Sequence, residues 1–207
     1  MSTIPCGLKT GEYKKAKRMR RRITERQYRS ERPASNFAFT IITLIHDNPL
    51  LPFLINPYRL LKDAGLRPGQ TVLEVGCGPG FFTIPAAEII GDEGVVYAVD
   101  LHPRAIERIQ KKIESKGIKN VRPMLTNASD TGLTEKSIDV AFMFGLPYIV
   151  GGQENVISEM HRILKPGGVL SFKKSRGSEK RLIGDMEKGG MIYSGKQGRI
   201  LLFNKGS

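Results

Sequence analysis

Cysteine is scarce in this sequence, which has only Cys6 and Cys77 among its 207 residues. One lies near the N-terminus and the other inside a glycine-rich segment, so they cannot build a disulfide framework or a C-x-x-C metal site. No other metal-ligand cluster is visible in the sequence, which therefore predicts no bound metal. A reducing, cytoplasmic location is expected.

A long hydrophobic run is also missing. The most apolar stretch, F-A-F-T-I-I-T-L-I-H from Phe37 to His46, follows the helix-capping residues Ser35 and Asn36 and is interrupted by D-N-P. A transmembrane helix needs about 20 apolar residues, so no transmembrane segment is predicted. Two interpretations of residues 37-55 stay open: a helical lid over a ligand cleft, or a shallow contact with a membrane surface.

Acidic residues are few at the N-terminus. The net charge is +13, and residues 1-35 hold eleven Lys or Arg against three Glu. Apolar residues recur there at helical spacing, and no small-residue cleavage site follows an apolar core, so a signal peptide is not expected. The segment is either a solvated basic helix or an arm that binds RNA, DNA or an anionic membrane surface through residues 9-32.

The most informative stretch is T-V-L-E-V-G-C-G-P-G-F-F-T, from Thr71 to Thr83. A short apolar strand precedes three glycines at alternate positions, and a helical pattern follows and ends at Gly91. Such a strand, loop and helix let a ligand lie against bare backbone, because glycine has no Cβ.

The glycine spacing excludes two common ligand classes. A G-x-G-x-x-G dinucleotide fingerprint fails in both registers, because Phe81 and Thr83 stand where the third glycine is needed. A phosphate-binding P-loop fails because no lysine occurs between Arg67 and Lys111. An oxidoreductase that uses a dinucleotide is therefore disfavoured.

The segment E-V-G-C-G-P-G resembles the first motif of the class I S-adenosylmethionine-dependent methyltransferases, and L-K-P-G-G from Leu164 to Gly168 resembles the turn into their fifth strand. The resemblance covers about residues 57 to 207. It implies an α/β, Rossmann-like sheet of seven mostly parallel strands in the order 3-2-1-4-5-7-6, with an antiparallel C-terminal hairpin. It also implies S-adenosylmethionine as the cofactor.

Two further positions fit a nucleoside-bearing ligand. Asp100 ends the strand V-V-Y-A-V-D about 20 residues beyond the loop, where a carboxylate can accept hydrogen bonds from both ribose hydroxyls. A helix-capping role for Asp100 is compatible with the same position. Asn127-Ala128 stand where the resembling family has an acid and a small residue that contact adenine; the asparagine carbonyl can still accept a bond from the adenine amino group.

The fourth strand, Ile138 to Phe144, leads into G-L-P-Y, so Gly145 is expected at the cofactor and Tyr148 at the substrate pocket. Methylation of exocyclic base amines is not supported, because G-L-P-Y lacks the polar first residue found in such enzymes. Tyr58, which follows the helix cap Asn56-Pro57, is a second candidate contact. The final hairpin is predicted to turn at Gly195-Lys196-Gln197-Gly198.

The chain is therefore predicted to have a basic arm (1-35), an apolar helical cap (36-68) and a methyltransferase domain (69-207). Its expected function is methyl transfer to an unidentified acceptor, a small apolar molecule being favoured. The alternatives are an RNA or ribosome-associated methyltransferase and an inactive nucleic-acid-binding protein of the same fold. No catalytic residue is assigned. The predicted cofactor-binding residues are Glu74, Gly76, Cys77, Gly78, Gly80, Asp100, Leu101, Asn127, Ala128 and Gly145.

Overall fold

The computed structural model describes residues 35–48, 50–51, 55–144, 152–173 and 178–206. Within them it forms one sheet with helices on both faces. The helices are α1 Asn36–His46, α2 Pro57–Asp63, α3 Thr83–Ile90, α4 Pro103–Lys116, α5 Gln153–Ile163 and α6 Glu179–Lys188. The strands are β1 Thr71–Val75, β2 Val95–Asp100, β3 Val121–Leu125, β4 Ile138–Phe144, β5 Leu164–Lys173, β6 Met191–Gln197 and β7 Ile200–Lys205.

The strand order is β3-β2-β1-β4-β5-β7-β6, which confirms the predicted topology. β1 lies inside the sheet and pairs in parallel with β2 and β4. β7 runs antiparallel to both β5 and β6, as the predicted C-terminal hairpin requires. β3 is the edge strand, in agreement with Pro123, which has no N–H to donate to a further strand.

The core has two layers because neighbouring residues of a strand point to opposite faces of the sheet. Leu73 of β1 packs in one hydrophobic cluster with residues of α5 and α6, whereas Val72 packs in the other with residues of α2, α3 and α4. β1 is buried along nearly its whole length. The carboxyl ends of β1, β2 and β4 therefore form one edge, where ligands bind in open α/β sheets.

Local sequence signals set most helix ends. Asn56 caps α2 by accepting a hydrogen bond from the Arg59 N–H (3.0 Å), with Pro57 in the first turn. Gly117 ends α4 in the left-handed conformation. Opposite α4, the buried carboxylate of Glu159 on α5 accepts bonds from Thr131 and Arg162 and so fixes the loop after β3.

The turn predicted at residues 195-198 lies two residues further on. β6 continues through Gly195 to Gln197, and the chain reverses at Gly198, where φ is +57°, and Arg199. A register shift between Tyr193 and Gly195 accounts for the difference. The extra residue of this bulge keeps Gly195, which the sequence pattern assigns to the turn, within β6.

Candidate functional site

The backbone N–H groups of the glycine-rich loop after β1 donate hydrogen bonds to acceptors within the protein. Gly76 and Cys77 both donate to the carbonyl oxygen of Val99, at 2.8 and 3.1 Å. Gly78 donates to Oδ2 of Asp100 at 2.9 Å, and Gly80 donates to the carbonyl oxygen of Cys77 at 3.0 Å. A loop that cradles phosphate must offer such N–H groups to the ligand. This loop suits a ligand that contacts it without a phosphate.

Asp100 bridges the glycine loop and the start of α4. Its Oδ2 accepts from the Gly78 N–H, and its Oδ1 accepts from the His102 N–H at 2.8 Å. A carboxylate has about four acceptor positions, so two remain for hydroxyl groups of a ligand. Asp100 is not the helix cap: the N-cap of α4 is His102, whose Nδ1 accepts from the Arg104 N–H at 3.2 Å.

Two glycines of the loop have different tasks. A Cβ placed on Gly78, where φ is +52°, would meet no atom within 4 Å, so this glycine borders open space. A Cβ on Gly80 would lie 3.2 Å from Cγ1 of Ile109, so this glycine lets α4 pack against the loop. Gly78 therefore borders free volume, whereas Gly80 permits the close packing of α4.

Glu74 lies beneath the loop and is buried. The hydroxyl of Thr83, the first residue of α3, donates to its carboxyl oxygen at 2.6 Å. Burial raises the pKa of Glu74 to about 8, against the opposing effect of the Thr83 hydrogen bond and with a further rise from the charge of Asp100. A neutral carboxyl group at neutral pH joins β1 to α3 and fixes both ends of the loop.

The remaining predicted contacts occupy the same edge of the sheet. Cys77 is buried, and burial raises the pKa of its thiol, so its backbone is the group that the loop uses. Leu101 is half-buried directly after β2. Oδ1 of Asn127 already accepts from the Ser129 N–H at 3.1 Å, which leaves one of its acceptor positions, and Ala128 is buried.

Two tyrosines were predicted at the substrate. The hydroxyl of Tyr58 donates to the carboxylate of Glu88, and this hydrogen bond raises the pKa of the phenol. Glu88 is in the last turns of α3, whereas the glycine loop is at its first, so Tyr58 packs away from the loop in this structure. Tyr148 lies outside the described residues, as do Gly145 and the part of the basic arm before Ser35.

α1 packs over the loop and over the first turns of α4. The ring of Phe39 stacks on His102 with centroids 4.3 Å apart, and His46 lies 5.3 Å from Phe81. Just after α1, Asp47 pairs with Arg108 and with Lys112 of α4. These contacts place α1 beside Asp100, the position expected of a lid.

Sequence reasoning missed three residues that order this region: His102, Lys112 and Asp47. Nζ of Lys112 donates to the carbonyl oxygen of Pro79 at 2.7 Å, so one lysine holds both the glycine loop and the end of α1. The pair His102-Pro103 carried a usable signal, because a cap residue followed by proline opens a helix. Lys112 and Asp47 carried none, since both look like solvated charges.

The site combines three features: a loop whose N–H groups are not available to a phosphate, open space at Gly78, and a carboxylate with spare acceptor positions. Such a cleft can hold a nucleoside by its hydroxyls, and the negative charge of Asp100 favours a cationic group over a pyrophosphate. Among the residues that the structure describes, no group of three or more His, Cys, Asp or Glu is placed to hold a metal ion.

Comparison with known proteins agrees with this geometry. A family model described as a methyltransferase domain matches residues 66–201. The chain therefore belongs to this methyltransferase family, and the predicted resemblance is confirmed.

Individual relatives cover part of the chain. A demethylmenaquinone methyltransferase of Geobacillus stearothermophilus is 33% identical over 111 residues, which are 53% of this chain and 47% of that protein. A ubiquinone/menaquinone biosynthesis C-methyltransferase of Shewanella halifaxensis is 33% identical over 131 residues, 61% of this chain and 52% of that protein. The chain thus spans about half the length of the curated relatives it matches.

The fold is also that of a solved protein. The crystal structure of a SAM-dependent methyltransferase from Aquifex aeolicus matches with a TM-score of 0.67 at 24% identity, over 76% of this chain and 93% of that one. At this identity the similarity shows the fold.

Proposed function

We propose that the chain binds S-adenosylmethionine at the glycine loop and transfers its methyl group to a small apolar acceptor. The observation that carries the proposal is the hydrogen bonding of the loop, whose N–H groups at Gly76, Cys77 and Gly78 are all donated inside the protein. A dinucleotide would need such groups for its pyrophosphate, whereas an adenosyl sulfonium has no phosphate and carries a positive charge that Asp100 favours.

The protein's own residues have simple tasks in this reaction. When bound, S-adenosylmethionine supplies an electrophilic methyl group on sulfonium. Asp100 accepts hydrogen bonds from the ribose hydroxyls, Gly78 leaves room for the ligand, and Asn127 is a candidate acceptor for the adenine amino group. Glu74 keeps the loop in place through Thr83. Orientation of two bound reactants can lower the activation barrier by about 7–11 kcal/mol. Methyl transfer can therefore be catalysed mainly by positioning the two reactants.

The acceptor class rests on the relatives and on the surroundings of the cleft. The two curated relatives described above carry the names of quinone methyltransferases, and α1 adds large apolar side chains beside the site. Both favour an apolar, quinone-like acceptor. The RNA alternative and the inactive nucleic-acid-binding alternative rest on the charge of residues 1-35, and the names of the relatives support neither.

A pair of matched glycine variants tests the ligand position. Gly78→Ala and Gly117→Ala both place a Cβ on a left-handed glycine, with φ of +52° and +65°, and neither Cβ meets an atom within 4 Å. Each should lose about 1 kcal/mol of stability from backbone strain. Only Gly78→Ala should lose affinity for S-adenosylhomocysteine by calorimetry, because only Gly78 borders the proposed ligand.

Equal affinities of the two variants would place the ligand elsewhere. The acceptor is tested separately, with a methyl-labelled cofactor and either a demethylated quinol or total RNA. Label that enters the organic extract supports the apolar acceptor, and label that enters RNA contradicts it.

A further inference from the structure

α1 is apolar on two opposite faces, and the described residues cover only one of them. On the inner face, Phe39 is 5% exposed and stacks on His102. On the outer face, Phe37 is 75% exposed and Leu44 is 70% exposed, and Ile41 and Ile45 are exposed beside them. These four residues have the i, i+4, i+7, i+8 spacing of one helix face.

This outer face is a patch and not a set of scattered residues. Of the eight large hydrophobic residues that are exposed in the described part of the chain, five lie between Phe37 and Leu50. α1 itself contains no acidic or basic residue other than His46. A contiguous exposed apolar patch marks an interaction site more often than chance. The outer face of α1 is therefore a candidate binding surface.

The patch borders a positively charged groove. Among the described residues, a groove of ≈ 560 Å³ between α1 and α4 is lined by Arg104, Arg108, Lys111 and Lys112, with Glu107 as the one acidic residue of that lining. Asp47 neutralises part of this charge through its ion pairs with Arg108 and Lys112. A positive excess remains beside the apolar face.

Two donors in the groove lack a partner. Among the described residues, Nε of Arg108 and the hydroxyl of Thr43 are buried without a hydrogen bond, and both side chains line the groove. Buried donors without a partner are uncommon in folded proteins. The groove thus adds unpaired polar atoms on both helices to its excess positive charge.

We propose that α1 docks on an anionic phospholipid surface, with its outer face at the boundary of headgroups and acyl chains and a lipid phosphate in the α1–α4 groove. An apolar face with flanking cations is the pattern of interfacial helices. The sequence just before α1 adds eleven Lys or Arg against three Glu in residues 1-35, and stable membrane attachment commonly takes two such signals.

Other occupants fit less well. α1 has 11 residues and no helix in the described part of the chain is long and apolar enough to cross a bilayer, so the contact is with a surface. A second copy docked through the same face would bring identical cationic side chains together. An anionic surface complements both the apolar face and the charge.

The proposal holds whether or not the proposed methyl transfer is correct, because it concerns the outer face alone. Phe39 stacks on His102, so α1 lies next to the cleft. If α1 docks on a membrane, the cleft is therefore close to the lipid, from which an apolar acceptor would enter.

The full-length chain offers a direct test, because it contains no tryptophan. Phe37→Trp introduces a single tryptophan on the outer face of α1, and Ile192→Trp introduces one on β6, where Ile192 is 57% exposed. With vesicles of phosphatidylcholine and phosphatidylglycerol, the emission of the first variant should shift to shorter wavelength and that of the second should not. The shift should weaken in high salt and with phosphatidylcholine alone.

Substitutions separate the apolar and the charged contributions. Leu44→Ser should reduce binding to the mixed vesicles about tenfold or more in sedimentation, whereas Leu125→Ser, on a leucine of β3 that is also exposed, should not. Arg104→Gln with Lys111→Gln should weaken binding to the anionic vesicles, whereas Lys180→Gln with Lys188→Gln on α6 should leave it unchanged.

Three outcomes would overturn the proposal. The first is vesicle binding without a change at position 37, which means that the basic arm binds alone. The second is a shift without vesicles that grows with protein concentration, which assigns the face to a second copy. The third is an unchanged Phe37→Trp spectrum together with salt-dependent binding of RNA.

Discussion

Asp100 joins the two segments that border the predicted ligand cleft. Its carboxylate accepts one backbone N–H from the glycine loop and one from His102, so the residue has a structural task before any ligand binds. The same carboxylate retains acceptor positions for hydroxyl groups of a ligand. Its two tasks can be separated by experiment, because they respond to different substitutions.

Asp100→Ala removes every acceptor and should weaken binding of S-adenosylhomocysteine about ten- to a hundredfold. Asp100→Asn keeps one acceptor oxygen and should lose less, because charge-assisted bonds are about twice as strong as neutral ones. Calorimetry on both variants, with circular dichroism to verify folding, makes the comparison. An Asp100→Ala protein that is folded and binds as tightly as the parent would place the ribose elsewhere.

Glu74 makes the stability of the protein depend on pH. Its folded pKa of about 8 lies above the value of 4.5 for an exposed glutamate, so the native state binds more protons than the unfolded state between these values. The stability contributed by the neutral group is complete below about pH 4.5 and is lost as the pH rises towards 8.

Glu74→Gln removes this titration and keeps the shape of the side chain. The free energy of unfolding of the variant, relative to the parent, should therefore increase from pH 5 to pH 8, by a few kcal/mol in total. Urea unfolding followed by circular dichroism at both pH values measures the difference. A difference that stays constant over this range would mean that Glu74 is ionised throughout.

At the scale of elements, α1 is attached to the domain by few contacts. Phe39 supplies the buried ring, and Asp47 adds ion pairs that are partly exposed and therefore contribute about 0–1 kcal/mol. Removal of a buried phenylalanine side chain costs about 3–5 kcal/mol. The docking of α1 thus depends chiefly on aromatic contacts, with Phe39 against His102 as the buried one and His46 against Phe81 as the second.

Phe39→Ala should release α1 from α4, while the sheet stays folded. Hydrogen exchange is expected to accelerate by at least about a hundredfold for amides of residues 36–46. Phe37→Ala changes an exposed ring two residues away and should leave the exchange near that of the parent. If both variants exchange alike, the stacking on His102 does not hold the helix.

At the scale of the whole molecule, ligand binding should stabilise the fold. A ligand at 100 times its dissociation constant adds about 2.7 kcal/mol to the free energy of unfolding, and the site draws together segments from β1, β2 and α4. For a chain of this size, that energy corresponds to a rise in Tm of about 5–10 °C.

Differential scanning fluorimetry with S-adenosylhomocysteine should therefore show this rise in the parent, and NAD at the same concentration should show none. Asp100→Ala should show a smaller rise at that concentration, because its dissociation constant is larger. A rise with NAD and not with S-adenosylhomocysteine would contradict the proposed cofactor.

The sequence by itself determined the fold class and the position of the candidate site. The run V-L-E-V with three alternating glycines and the acid at Asp100 are local patterns, and the structure places each at the strand or loop end that the pattern predicts. The L-K-P-G-G segment, predicted as a turn into the fifth strand, instead forms the first half of β5, which pairs with β4 across a register shift between Ile138 and Val140. Period-two burial and glycine conformations are properties of neighbouring residues, so they can be read without knowledge of distant contacts.

Only the tertiary structure decided how distant residues share the site. The donation of the loop N–H groups to Val99 and Asp100, the neutral state of Glu74 and the stacking of Phe39 on His102 join segments far apart in the chain. Tyr58 shows the same limit, because its hydrogen bond to Glu88 joins α2 to α3 and no local pattern predicts that pair. Burial and pairing arise from packing, and packing across the chain leaves no local pattern.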